Sequence, residues 1–80
     1  MNQYNVETSD DETITLKDSM VQRMSTVVIP RDRIASVRKV MNSIEVETTG
    51  GARYWVLPGV RRKQKEKSRA AFEPHGITIK

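Results

Sequence analysis

The densest group of ionisable side chains in this sequence is the run Arg-Arg-Lys-Gln-Lys-Glu-Lys-Ser-Arg at 61–69. Six of its nine residues are cations and one is a carboxylate, so its net charge of +5 exceeds the +4 of the whole chain. Because like charges at this density repel, the run indicates an anionic partner, either nucleic acid or an acidic protein surface. The side chains expected to contact phosphates are Arg61, Arg62, Lys63, Lys65, Lys67 and Arg69.

A second candidate contact to nucleic acid is the pair Arg53 and Tyr54, with Arg38 expected nearby. An aromatic ring on the exposed face of a strand can stack on an unpaired base. Neighbouring strand residues point to opposite faces, so Trp55 is expected in the core while Tyr54 stays on the wetter face.

No set of residues predicts catalysis or metal binding. His75 is the single histidine and is expected to be a surface turn residue, without a partner for acid–base chemistry. Asp10-Asp11-Glu12 lacks the ligand spacing and the turn glycine of a calcium loop. The absence of cysteine excludes thiolate sites. We therefore expect no enzymatic activity, no cofactor and no metal.

Eighty residues with 36% hydrophobic content and a mean hydropathy of −0.60 predict one small, polar domain. No apolar run approaches the ~18 residues of a membrane helix, and we expect a cytoplasmic protein. Residues 1–12 are acidic and aperiodic, which predicts a flexible N-terminal segment before a single domain at 13–80. The acidic stretch 1–20, with a net charge of −4, is either a solvated tail or a screen over the basic surface.

Apolar and polar residues alternate at 13–17, and 25–29 is rich in β-branched residues, so both segments are predicted strands. Residues 31–41 fit a helix or a strand, and we favour a short turn at 30–33 followed by a strand. Residues 43–49 and 52–57 form a predicted hairpin around Gly50-Gly51. With a two-residue loop, Val46 lies opposite Trp55, and the core face of the hairpin comprises Ile44, Val46, Trp55 and Leu57.

Good helix formers fill 60–73, and Pro74 ends that predicted helix. Its only plausible docking stripe is thin and comprises Val60, Gln64, Ser68 and Ala71 or Phe72. Its first cations lie at the positive end of the helix dipole, which favours an anion there. Residues 77–80 are predicted to form a last strand that pairs with 13–17 or pairs across a homodimer. The predicted fold is α+β: a small antiparallel sheet or partly closed barrel of about five or six strands, with one C-terminal helix.

The order of these elements resembles known families. The hairpin around Ile44-Glu45-Val46-Glu47 and Gly50-Gly51, then Tyr54, then a helix that ends at Phe72 before His75, looks like the order in LytTR-type DNA-binding domains. The sequence departs from that pattern by one residue in the Phe72–His75 spacing. A strand-rich body with one late helix is also similar to PH-like modules, which bind proteins or lipids.

Two functions are expected from these features. The first is a small nucleic-acid-binding or regulatory module that contacts phosphates through the basic helix. With five or six phosphates neutralised, log affinity would fall with log salt at a slope of roughly −5. Gln64 is the one amide in the run able to bond base edges, so binding is expected to be non-specific. The alternative is a protein-interaction module, including a viral or accessory factor, that docks on an acidic surface.

Overall fold

A computed structural model describes residues 3–19 and 25–79. Within them, six strands and one α-helix form an α+β fold, as predicted. Two single 3-10 turns occur, at Arg31–Arg33 and Glu73–His75. The described part of the chain contains no helix that is long and apolar enough to cross a membrane. The elements are β1 Gln3–Ser9, β2 Thr13–Asp18, β3 Thr26–Pro30, β4 Ile34–Val40, β5 Ser43–Thr48, β6 Arg53–Leu57 and α1 Arg62–Phe72.

The six strands form one open sheet in the order β3-β2-β1-β6-β5-β4. Neighbouring strands are antiparallel except for β1 and β6, which run parallel. Alternating residues direct one apolar face of this sheet toward α1, which packs on β1. The side chains buried between sheet and helix are Val6, Ile14, Leu16, Ile29, Ile44, Val46, Val56, Ala71 and Phe72.

The prediction of a flexible segment at 1–12 differs from the structure, because β1 lies at the centre of the sheet. It pairs with β2 on one side and with β6 on the other. Val6 is 1% exposed and belongs to the core. Sequence periodicity fails here because β1 contributes few apolar residues and carries a register shift between Val6 and Thr8. Met1 and Asn2 lie outside the described residues.

The predicted hairpin exists, but its predicted register is wrong by one residue. Glu45, not Val46, lies opposite Trp55, and Ile44 lies opposite Val56. The Thr48 N–H donates to Ala52 O, so the loop contains three residues that end at Gly51 with a φ of 88°. Trp55 and Leu57 therefore leave the predicted core face, and Tyr54 and Val56 replace them.

The β4 region is confirmed as a turn followed by a strand. The predicted strand at 77–80 is wrong for the described residues 77–79, which are not in a strand. Both edges of β2 are already occupied by β1 and β3, so no edge remains for a strand beside 13–17. Ile79 is nevertheless buried, and the Arg69 Nε donates to its carbonyl at 2.9 Å. The predicted homodimer through that strand loses its structural basis.

Arg31 joins three separate parts of the chain. Its Nη1 donates to Ala71 O at 2.7 Å and its Nη2 to Ala70 O at 3.3 Å, which places its charge at the carbonyl end of α1. Its Nε donates to Asp10 O at 2.7 Å in the β1–β2 turn. Because β3 and β4 meet at this residue, one guanidinium holds the sheet, a turn and the helix end together.

We predict that Arg31→Met lowers the free energy of unfolding by about 2–4 kcal/mol, because three carbonyls lose a charged donor. Arg31→Lys should recover only part of this loss, since a single ammonium cannot reach all three acceptors. Urea denaturation measures both. Arg33→Ala, an exposed cation two residues away, is the matched control. Equal stability of Arg31→Met and Arg33→Ala would contradict the bridging role.

Candidate nucleic-acid interface

Two neutral side chains of α1 tie the basic helix to the sheet. The β1–β6 ladder ends at the pair Asn5–Leu57, and the next residue, Pro58, has no N–H to continue it. At that point the Gln64 Nε2 donates to Val6 O at 2.7 Å. One turn later, the Ser68 Oγ donates to Pro58 O at 2.8 Å. Side chains of the helix therefore donate to the backbone carbonyls that lie beyond the end of the β1–β6 ladder.

The predicted docking stripe agrees with the structure except at its first residue. Ser68, Ala71 and Phe72 are fully buried, and Gln64 is half-buried. Val60, however, is 90% exposed. It precedes the helix, and the chain turns at Gly59 with a φ of 94°, which leads Val60 away from the core. The docking face is thus shorter than predicted and more polar.

The cations divide into two groups. The half-buried pair consists of Lys65 and of Arg69, whose Nε donates to Ile79 O. Within the exposed group, Arg62 forms an ion pair with Glu66, with 3.6 Å between Nε and Oε1. Such exposed pairs are weak and exchange readily with other anions. The exposed group is Arg61, Arg62, Lys63 and Lys67.

The beginning of α1 lacks the usual compensation for its dipole. Arg61 is the N-cap residue and makes no side-chain capping hydrogen bond. The first turn contains no acidic residue. Free backbone N–H groups and the cations of 61–63 therefore lie together, an arrangement that favours a bound anion. Gln64, the expected base reader, directs its amide N–H inward to Val6.

The predicted stacking surface at Tyr54 does not form. Tyr54 is half-buried on the core side of the sheet. Its ring meets that of Tyr4 edge-on, with 5.5 Å between centroids. The hairpin register places Arg53 on the opposite face, so the two residues do not form one surface.

Carboxylates offset the arginines of that opposite face. Arg38 donates a hydrogen bond to Glu45, whose side chain is only 7% exposed. This bond holds the pKa of Glu45 below the usual value for glutamate and raises the pKa of Arg38. The Arg53 Nε lies 3.8 Å from Glu47 Oε2. This face therefore carries internal pairs rather than a free positive charge.

A groove of about 820 Å³ lies beside the start of α1, between the β4–β5 turn and the end of β6. Pro58, Val60 and Ile79 are among its apolar lining residues. Lys39, Arg61 and Lys65 stand around it, and no carboxylate occurs among the described residues that line it. Sequence reasoning missed this site, because its residues come from segments far apart in the chain that only the topology brings together.

Comparisons with protein-family models, with curated proteins and with solved structures find no match to this chain. These comparisons therefore give no support to the resemblance in element order to LytTR-type and PH-like domains.

Gly59 should be essential for the attachment of α1. A Cβ at this position would lie 2.4 Å from Gln64 Cγ and 2.8 Å from its Cβ, at a φ that also disfavours side chains. We predict that Gly59→Ala lowers the free energy of unfolding by about 2–4 kcal/mol.

Two other glycines separate these effects in urea denaturation. Gly51→Ala has the positive φ without a contact and should cost about 1 kcal/mol. Gly50→Ala has neither a positive φ nor a close contact and should cost least. A loss at Gly59 no larger than that at Gly51 would contradict the proposed close packing against Gln64.

The Arg38–Glu45 pair predicts an acid-sensitive component of stability. Because the pKa of Glu45 is lowered in the folded state, its contribution is present above the ordinary glutamate pKa of about 4.3 and lost as the pH falls. Glu45→Gln should therefore lose stability less steeply than the wild type between about pH 5 and pH 3. Glu47→Gln is the control on the same strand. An unchanged pH profile for Glu45→Gln, measured by urea denaturation, would contradict the role of this pair.

Proposed function

We propose that this protein is a small non-enzymatic module that binds nucleic acid through phosphate contacts made by the beginning and outer side of α1. The observation that carries this proposal is that different residues of the helix dock it on the sheet and present its positive charge to solvent. Gln64, Ser68, Ala71 and Phe72 dock it, while Arg61, Arg62, Lys63 and Lys67 are exposed and free of the packing.

The docked arrangement supports a phosphate-binding surface with few sequence contacts. Exposed cations neutralise phosphates and release counterions, whatever the base sequence. Because the Gln64 N–H is committed to Val6 O, the amide expected to read base edges is already occupied. We therefore propose non-specific binding, in which affinity follows charge and salt more than sequence.

The structure also revises the expected strength of the salt dependence. Four exposed cations remain, since Lys65 and Arg69 are half-buried. If each of the four contacts one phosphate of duplex DNA, the slope of log affinity against log salt should be about −4. This is shallower than the slope of roughly −5 expected when all six cations are counted.

The alternative partner is an acidic protein surface, and the position of Val60 favours it. This side chain is 90% exposed directly before Arg61. An apolar side chain beside cations suits a protein interface, in which carboxylates surround an apolar contact. A phosphate backbone offers no such contact. Val60→Ser separates the two: it should leave the affinity for duplex DNA unchanged, whereas it would weaken a protein complex.

We predict that Lys63→Ala combined with Lys67→Ala makes the salt slope shallower by about 2 and weakens binding to all DNA sequences alike. Fluorescence anisotropy with two unrelated duplexes at several salt concentrations measures both quantities. The matched control is Lys17→Ala with Arg33→Ala, which removes the same charge away from α1.

Equal effects of the two double variants would show attraction to net charge rather than to this helix surface. Absence of DNA binding by the wild-type protein at low salt would overturn the proposed function and leave the acidic protein partner as the explanation for the exposed cations.

A further inference from the structure

We infer that the groove beside α1 receives an unpaired base, so that the protein prefers single-stranded over double-stranded nucleic acid. This inference rests on the proposed function, because the phosphates on either side of the base would lie against the cations of the helix. It adds a site made mostly of residues outside the basic run.

The charges of the groove suit a phosphate chain. Lys39, whose Nζ donates to Thr78 O at 3.5 Å, lines the groove from β4, and Arg61 and Lys65 line it from the beginning of α1. Among the described lining residues, none is acidic to oppose them. Arg61 belongs both to the groove and to the exposed cations of α1, so the groove continues the positive surface. A strand that crosses the helix start would meet cations on both sides of the groove.

The interior of the groove suits a base. The aliphatic side chains of Val60 and Ile79 and the ring of Pro58 can contact the face of a base. Asn42, in the turn between β4 and β5, also lines it, and its amide offers both a donor and an acceptor to a base edge. The volume of about 820 Å³ accommodates a nucleotide with space for water. No aromatic ring lines the described groove, so contact is aliphatic rather than by stacking.

This geometry discriminates between single and double strands. In a duplex, the bases are paired and stacked, so a cleft cannot receive one without the cost of opening the helix. In a single strand, a base can turn out while its phosphates remain on the protein. The groove also explains why Lys65 is half-buried, since it faces this space rather than the outer side of α1.

The test compares two single strands with equal phosphate charge, one of oligothymidylate and one abasic, by fluorescence anisotropy with the full chain. If a base occupies the groove, oligothymidylate should bind at least about fivefold more tightly than the abasic strand. A duplex of equal length should bind less tightly than oligothymidylate. Lys39→Ala with Asn42→Ala should reduce this preference severalfold, whereas Lys63→Ala should weaken both strands equally.

Each result has a defined meaning. Equal affinity for the two strands, or a preference that the Lys39→Ala and Asn42→Ala variant retains, overturns the groove proposal and leaves phosphate binding intact. Competition by polyglutamate of matched charge as effective as that by oligothymidylate also overturns it, since the groove would then accept carboxylate chains. Binding of neither strand overturns both the groove and the proposed function. Equal urea midpoints show that the variants are folded.

Discussion

The hydrogen bond from Gln64 to Val6 O is the interaction on which the arrangement of this protein depends. It occurs where the parallel β1–β6 ladder ends and Pro58 cannot continue it. Gly59 permits the close approach of the Gln64 side chain, and Ser68 secures Pro58 O one turn later. If the buried carbonyl of Val6 had no donor, the cost would be about 1–3 kcal/mol. The orientation of α1 is therefore fixed by the hydrogen bond to this carbonyl as well as by apolar contact.

This mode of attachment determines which cations are available. Because neutral amide and hydroxyl groups hold the helix, the docking requires none of Arg61, Arg62, Lys63 and Lys67. At the other end, Arg31 supplies the positive charge that the helix carbonyls favour, and it comes from the 3-10 turn between β3 and β4 rather than from the run. Around α1, the cations that stabilise the fold, Arg31 and Arg69, are therefore distinct from the exposed cations that could bind a partner.

The sequence predicts much of this fold because its strongest signals are local. The β-branched run of β3, the alternation of β5 and the helix formers of α1 agree with the structure, as do the predicted docking residues other than Val60. The failures depend on contacts between distant segments. β1 belongs to the sheet because β2 and β6 pair with its two sides, and both partners are distant or follow later in the chain. The hairpin loop contains one residue more than predicted, and the resulting shift in register places Val56 rather than Trp55 in the core. The groove has no local signal, since Lys39, Leu57 and Lys65 meet only after the strands are ordered.

The position of the binding surface is tested most directly by ¹⁵N–¹H chemical shifts during titration of the full chain with oligothymidylate. We expect the largest shifts at the amides of 61–67 and of 39–42, where the helix start and the groove meet. Shifts confined to β3, or to the Arg38–Glu45 and Arg53–Glu47 face of the sheet, would contradict it, because those residues lie outside both the exposed cations of α1 and the groove.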